Sequence, residues 1–297
     1  MSAKVILDTE FTPFENTLTE RTITLELEFP KFILAEFSKH RNISFNTSSS
    51  RAIPVEKMLE TIQEHPIQFK WTKKGPGMSG EPLEIDSLAY QKANDIANEI
   101  QDFLTEKVRE LDALGIHKQH ANRFIETFQT VKVVATASYF RWMDFLWLRI
   151  DNAVQPEMVE LAKEIQEAIN NSTPEKRGNH EWHIPYVDGI EEYKDLSLLD
   201  KLKISASCCA QVSYRKLDTS IEKSIDIYNK LVGGQKLHAT PFEHQFAWEK
   251  DRTSGNITCG KQFRHIIENC RQLNLSLEEE IKAYEIGINT KRFTNNN

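Results

Sequence analysis

The stretch from Phe32 to Arg51, FILAEFSKHRNISFNTSSSR, gathers Lys39, Arg41 and Arg51, one histidine, His40, and a row of short hydroxyl and amide side chains. Guanidinium groups offer a fixed fork of donors, and small residues leave backbone N–H groups within reach of a ligand. The run therefore suits an anion, a phosphate ester above all. The same residues also suit an ordinary helix C-terminus, with cations against the dipole and a serine-rich loop beyond it.

Other chemistry-bearing residues are scattered. Arg123 reads alone as part of a solvated helix face, and Arg149 as a snorkelling arginine at a helix end. Cys208 and Cys209 are adjacent, while Cys259 and Cys270 stand far apart with no paired-ligand spacing. That is neither a zinc site nor a secreted disulfide framework, and reduced, buried thiols are expected. His180 and His183 have no carboxylate or cysteine spacing to complete a ligand set, so no metal is expected. No Gly-rich phosphate loop of the Walker or Rossmann kind is present, so no dinucleotide fold is expected.

A chain of 297 residues, 39% hydrophobic and 27% charged, can bury a substantial core and is ordinary for a globular protein. Its net charge of −7 and pI near 5.8 argue against a broad nucleic-acid-binding face, though not against a local basic pocket. No apolar run approaches a membrane span, and MSAKVILDTEF lacks the basic-then-apolar order of a signal peptide. A cytosolic protein is expected, with no membrane and no nucleic-acid partner.

The elements that must position these residues follow from periodicity. Arg21 to Phe29, RTITLELEF, alternates like a strand with one buried face, and Pro30 opens a helix-like FPKFILAEFSKH that runs into the cationic loop. Pro54 starts a short helix, and WTKKGPGMSGEP reads as a loop. Helical spacing covers Ser87 to Leu114, ended by Gly115, then Lys118 to Phe128 and Tyr139 to Leu148, with two long helices expected to pack as a hairpin. A further helix spans Pro156 to Ile169, and Asn170 to His180 reads as a polar linker. Beyond it, EWHIPYV looks extended, ISASCCAQVSY is a small-residue run suited to close packing, Ile221 to Leu231 is helical, and HATPFEHQFAW is a loop entering a strand. The expected class is α+β, a small mostly antiparallel sheet packed with a layer of long helices. One catalytic domain is expected over 1–297, with sheet and loop at about 1–60, a helical part at about 85–170 and a mixed part at about 181–290.

Three sets of residues resemble a known family. Lys39-His40-Arg41 followed by Ser49 and Arg51 is similar to the Arg-His-Arg signature of the flavin-dependent thymidylate synthases, with Lys at its first position. Asn122-Arg123, Asp144-Phe145-Leu146-Trp147-Leu148-Arg149 and Val154-Gln155-Pro156-Glu157 resemble that family's arginine-bearing helix, its Asn-Phe-x-x-x-Arg segment and its Ala-Gln-x-Glu turn. Gln211-Val212-Ser213-Tyr214 and His238-Ala239-Thr240-Pro241-Phe242-Glu243-His244 look like two segments that most members carry ahead of the signature. Here they follow it, a circularly permuted order associated with viral members. Read without the family, Thr240-Pro241 is a common turn or helix entry, and either histidine suits a structural place.

The resemblance implies methylation of dUMP at C5 to dTMP, with methylenetetrahydrofolate giving the carbon, FAD the hydride and NADPH the reducing equivalents. It implies that Arg149 is the catalytic charge facing the pyrimidine. By the same resemblance Glu36, Lys39, Thr47, Ser48, Ser49, Ser50, Arg51, Arg123 and Arg149 bind dUMP. Lys39, His40, Arg41, Asn46, Ser138, Asp144, Ser213, His238, Thr240 and Glu243 then bind FAD. A homotetramer with shared sites is implied, in a cytoplasm that for a virus-encoded member is the host's. Glu36 stands where the family usually has Gln, Thr47 where it has Glu, and Asp144 where it has Asn. These departures leave open a C5 hydroxymethylase or a cytosine-nucleotide enzyme on the same scaffold, and a non-catalytic nucleotide-binding protein is a further alternative.

Overall fold

The structure is a computed structural model that describes residues 1–13, 19–76, 80–213 and 217–285. Strand β1 (Ser2–Phe11) pairs antiparallel with β2 (Glu20–Pro30), which is the alternating RTITLELEF segment. After Pro30 a 3-10 turn, Lys31–Ile33, leads into α1 (Leu34–Phe37), much shorter than the helix expected there. Next come β3 (Ser44–Thr47), α2 (Val55–Glu64) and the 26-residue α3 (Leu88–Ala113), whose N-terminus is capped by the Ser87 hydroxyl accepting from the Tyr90 N–H. Gly115, with φ of +77°, adopts the left-handed backbone that ends the helix.

The helical segment after it is α4 (Lys118–Ala121), continued in 3-10 form to Phe128, and it packs Ala121, Ile125 and Phe128 near Val108 of α3. The next helix does not follow directly. TVKVVATAS forms β4 (Thr130–Ser138), a strand that pairs on both sides and has buried residues on both faces, so it carries no polar alternation to read. Then follow α5 (Tyr139–Arg149), α6 (Pro156–Asn170) and β5 (Glu175–Arg177). The last lies inside the expected polar linker and pairs parallel with β1.

The remaining elements are β6 (Trp182–His183), α7 (Leu198–Ala210), α8 (Ile221–Val232), β7 (Phe246–Ser254), β8 (Ile257–Gln262), α9 (Phe263–Leu273) and α10 (Leu277–Glu285), with 3-10 turns at Glu191–Tyr193, Gln211–Ser213 and Thr240–Glu243. The small-residue run ISASCCA is therefore helical, and Ser205 to Cys209 are buried because small side chains let the helix approach its neighbours closely. The architecture is α+β: among the described residues, a five-stranded sheet ordered β3-β4-β2-β1-β5 and a three-stranded sheet ordered β6-β7-β8.

Alternation assigns the two faces of the larger sheet. Ile23, Leu25, Leu27 and Phe29 are fully buried on the front, against Phe37, Trp142, Phe145, Met158 and Leu161 from α1, α5 and α6. Each contributes roughly 1.5–3 kcal/mol by burial. The back face, which the sequence pattern left polar, is covered by the C-terminal part. Thr9 and Thr24 contact Nδ1 and Nε2 of His183, each at 2.8 Å, Thr24 meets Thr136 at 2.7 Å, and Thr136 meets His244 Nδ1 at 2.8 Å. All five side chains have no exposure. Tyr186 adds a hydroxyl donated to Glu26 at 2.9 Å.

Burial keeps both imidazoles neutral, His183 well below the ordinary value and His244 down to about 3. Unfolding exposes them to protonation near 6.5, so their contribution is intact above that pH and declines as the pH falls below it. Each loses up to about 1.4 kcal/mol per pH unit there. Asp188, raised to about 6 chiefly by burial, has the opposite slope between its ordinary value and 6 and offsets one histidine's share. Thermal denaturation should therefore give a lower midpoint at pH 5 than at pH 7; an unchanged midpoint would contradict neutral buried histidines.

Candidate functional site

The site is built around β3, an edge strand whose alternate residues face opposite sides of the sheet. Phe45 and Thr47 share the front face, where Phe45 meets Phe37 edge-on with ring centroids 5.6 Å apart. Ser44 and Asn46 share the back face. Asn46 donates from Nδ2 to the carbonyl of Cys209 at 2.8 Å and accepts from the Thr240 hydroxyl at 2.9 Å. One four-residue strand thus touches the helical layer on one side and two C-terminal segments on the other.

On the front side, Arg149, the last residue of α5, donates from Nε to His40 Nε2 at 2.8 Å and from Nη1 to Glu36 Oε1. His40 packs edge-on to Phe145, centroids 4.7 Å apart. Burial, and then the Arg149 charge, push the His40 pKa down to about 4, against a smaller opposing pull from Asp144. The imidazole is therefore neutral at pH 7, and its Nε2 lone pair is what accepts from Arg149, placing the ring proton on Nδ1. Among the described residues, two of the guanidinium's five N–H groups are used. Lys39 and Arg41 flank this centre, exposed.

At the far end of β3 the serines lie in three different environments. Ser48 continues the pairing, its hydroxyl accepting the Lys132 N–H at 3.1 Å. Ser49 is exposed, and its hydroxyl accepts the Arg51 N–H at 3.3 Å. Ser50 is buried and donates to Glu126 Oε1 at 2.6 Å, while its carbonyl accepts from Asn122 Nδ2 at 2.7 Å. The same Glu126 receives Lys31 Nζ at 2.6 Å and Arg123 Nη1 at 3.1 Å and 3.2 Å. Burial alone would raise the Glu126 carboxyl, but bonds from Lys31 and Ser50 and the charges of Lys31 and Arg123 outweigh it and hold it below the usual range. The anion cradle is thus filled by the protein's own carboxylate. A cavity of about 640 Å³, within the range of small-ligand pockets, opens beside it and is lined by Lys31, Ser48, Ser50, Lys57, Lys132 and Val212 among others.

Not every expected residue joins these centres. Asp144 pairs with Arg141 at 3.1 Å on an exposed face, and the Ser138 hydroxyl caps α5 by accepting the Arg141 N–H at 3.4 Å. Glu243 accepts from Arg264 Nη1 at 2.5 Å. His238 is exposed, its main-chain N–H bonded to the Leu231 carbonyl at 3.1 Å. The Ser213 side chain, like Tyr214, lies outside the described residues. Lys31 and Glu126 enter the site with no motif to announce them; only the three-residue step from Arg123 to Glu126 could have drawn notice. Burial raises the thiols of Cys208, Cys209 and Cys270, the first to about 12 and the last to about 11, which disfavours thiolate nucleophiles. Among the described residues no three His, Cys, Asp or Glu side chains are placed to hold a metal ion, and no helix is long and apolar enough to cross a membrane.

Comparison with known proteins bears on this geometry. The family described as Thy1, thymidylate synthase complementing protein, matches residues 9–175, a stretch that contains β3, the serine cradle, Glu126 and Arg149. No curated protein matches the chain. A crystal structure of the flavin-dependent thymidylate synthase ThyX from Helicobacter pylori, complexed with FAD and dUMP, matches at 20% identity over 50% of this chain and 67% of its own, with a TM-score of 0.37.

Glu126 competes with any ligand phosphate for Lys31, Ser50 and Arg123. Replacing it by Gln removes the competing charge and keeps a side chain of the same shape. Inorganic phosphate should then bind about tenfold more tightly, ~1.4 kcal/mol, by isothermal titration. Equal or weaker binding would show that Glu126 is not the internal occupant of the cradle.

Proposed function

The chain belongs to the Thy1 family of thymidylate synthase complementing proteins, and on that premise we propose that it is a flavin-dependent thymidylate synthase. The reaction moves a one-carbon unit from methylenetetrahydrofolate to C5 of dUMP and reduces it to the methyl of dTMP. The observation that carries this reading is Arg149, which lies within the family-matched stretch and is held by neutral His40 and Glu36 beside an open loop. A fixed guanidinium against the pyrimidine favours negative charge on the ring, which activates C5 for attack on the one-carbon unit. His40 keeps the fork oriented, and Phe145 keeps water from one side of the imidazole.

The phosphate of dUMP would replace the Glu126 carboxylate among Ser50, Arg123 and Lys31. Ser48, Ser49, Arg51, Lys39 and Thr47 would complete that wall. The residues present also fit FAD. Lys39 and Arg41 are exposed and have no carboxylate partner among the described residues, on a chain of net charge −7, which suits a diphosphate. Asn46 and Thr240, already bonded to each other, would contact the flavin from the back of the sheet. When bound, FAD would supply hydride and NADPH would restore it. The proposal treats residues 1–297 as one catalytic domain in the cytoplasm, because both chain halves contribute to this wall.

Apolar side chains left in solvent support a homotetramer with shared sites. Ile96, Ile100 and Phe103 form one stripe on α3, 56%, 48% and 58% exposed, and Phe140 and Trp147 lie on one face of α5, 65% and 81% exposed. A solution mass near the 34.4 kDa of one chain would contradict this assembly.

One observation favours a second reading on the same scaffold. Glu36, an acceptor only while ionised, stands at Arg149, and an acceptor there suits a base edge that donates, such as the amine of cytosine. Product analysis by mass spectrometry with dUMP and dCMP offered separately distinguishes the two; dTMP from dUMP is the expected product. Arg149→Ala should lower dTMP formation at least about a hundredfold while FAD stays bound. Turnover like that of the unaltered protein would sink the role given to Arg149.

A further inference from the structure

The cavity of about 640 Å³ beside the serine cradle is of a size that holds a whole small molecule rather than one phosphate group. Its lining shows which way it runs. Glu28, Thr130 and Lys132 stand on the back face of the larger sheet, because they alternate with Leu27, Phe29, Val131 and Val133 of the buried front. Lys57, Met58 and Thr61 of α2 form a facing wall. Lys31 and Ser50 close the near end, where both donate to Glu126 Oε1 at 2.6 Å. Glu36, His40 and Arg149 do not line it, so the cavity leads away from the front of the sheet.

Beyond the cradle it offers donors that the protein itself does not use. Half-buried Lys132 and exposed Lys57 have no ion pair among the described residues. Glu28 lies directly opposite Lys132 in the strand pairing, yet its Oε1 accepts the Thr130 hydroxyl at 3.2 Å. Gln129 is only 3% exposed, and its Nε2 is buried with no partner among the described residues. A buried amide donor without an acceptor is costly and rare, and a ligand oxygen would satisfy it. Glu60 and Glu64, the other acids of the lining, are exposed, where water screens their charge.

We propose that the nucleotide site extends into this cavity and takes pyrimidine nucleoside di- and triphosphates. The first phosphate lies at Ser50, Arg123 and Lys31, and the next lie toward Lys132, Lys57 and the Gln129 amide. This rests on the reading that a nucleotide phosphate replaces the Glu126 carboxylate. A monophosphate leaves the donors beyond Lys31 unused, whereas each added phosphate brings them negative charge and acceptor oxygens.

The test is isothermal titration of the full chain with dUMP, dUDP and dUTP. The two longer nucleotides should bind at least about tenfold more tightly than dUMP and displace it one for one. Lys132→Gln and Lys57→Gln should each cut that advantage about threefold or more and leave the dUMP affinity as it was. Lys57 is exposed on α2, so its variant decides the matter if Lys132→Gln does not fold. The extension is overturned if dUDP and dUTP bind no more tightly than dUMP, if dUTP and dUMP bind together, or if the folded variants weaken all three nucleotides by one factor. In each of those cases dUMP still binds and the reading of the cradle stands; failure of all three to bind would overturn that reading and the extension with it.

Discussion

Five buried polar side chains, Thr9, Thr24, Thr136, His183 and His244, tie the C-terminal part of the chain to the back of the larger sheet. Polar groups placed there without partners would each cost about 1–3 kcal/mol, so they specify one docking register and penalise any other. Because Thr136 lies opposite Ser44 of β3, that register also fixes what meets β3. Asn46, two residues on and on the same face, then reaches the Cys209 carbonyl and the Thr240 hydroxyl. A misregistered C-terminal part would leave Asn46 unsatisfied and strip the site of its back wall.

Electrostatics are arranged so that the cationic groups do not stand alone. Glu36 takes one arm of Arg149, and Glu126 gathers Lys31, Ser50 and Arg123. Partly buried cations without such partners would be expensive to hold in the fold, and breaking a buried pair costs about 3–5 kcal/mol. These internal carboxylates keep the unliganded site stable, and any anion that entered it would have to exchange with them. The exposed Lys39, Arg41 and Arg51 have no such counterpart among the described residues and cost little, since water solvates them.

Part of this arrangement is legible in the sequence. The strand at RTITLELEF, the long α3 and the Pro156 start of α6 follow from periodicity, proline and capping, which act within a few residues. The cationic loop and its serines also stand out by side-chain type, which suits an anion and a helix C-terminus alike. The rest depends on contacts between distant segments. β4 hides because a strand covered on both faces shows no alternation, and ISASCCA hides because small residues suit a tightly packed helix as well as an extended run. Glu126 and Lys31 hide for a different reason: they are 95 residues apart, and only the fold makes them partners. The same is true of Asn46 and Thr240, separated by 194 residues.

The central claim is that the two halves of the chain, meeting across β3, form one site for a flavin and a pyrimidine nucleotide. Visible absorption of the purified full chain loaded with FAD, recorded before and after adding dUMP, tests it most directly. The account predicts protein-bound flavin bands that shift when the nucleotide enters beside the ring. Protein that retains no FAD, or flavin bands indifferent to dUMP, would contradict it.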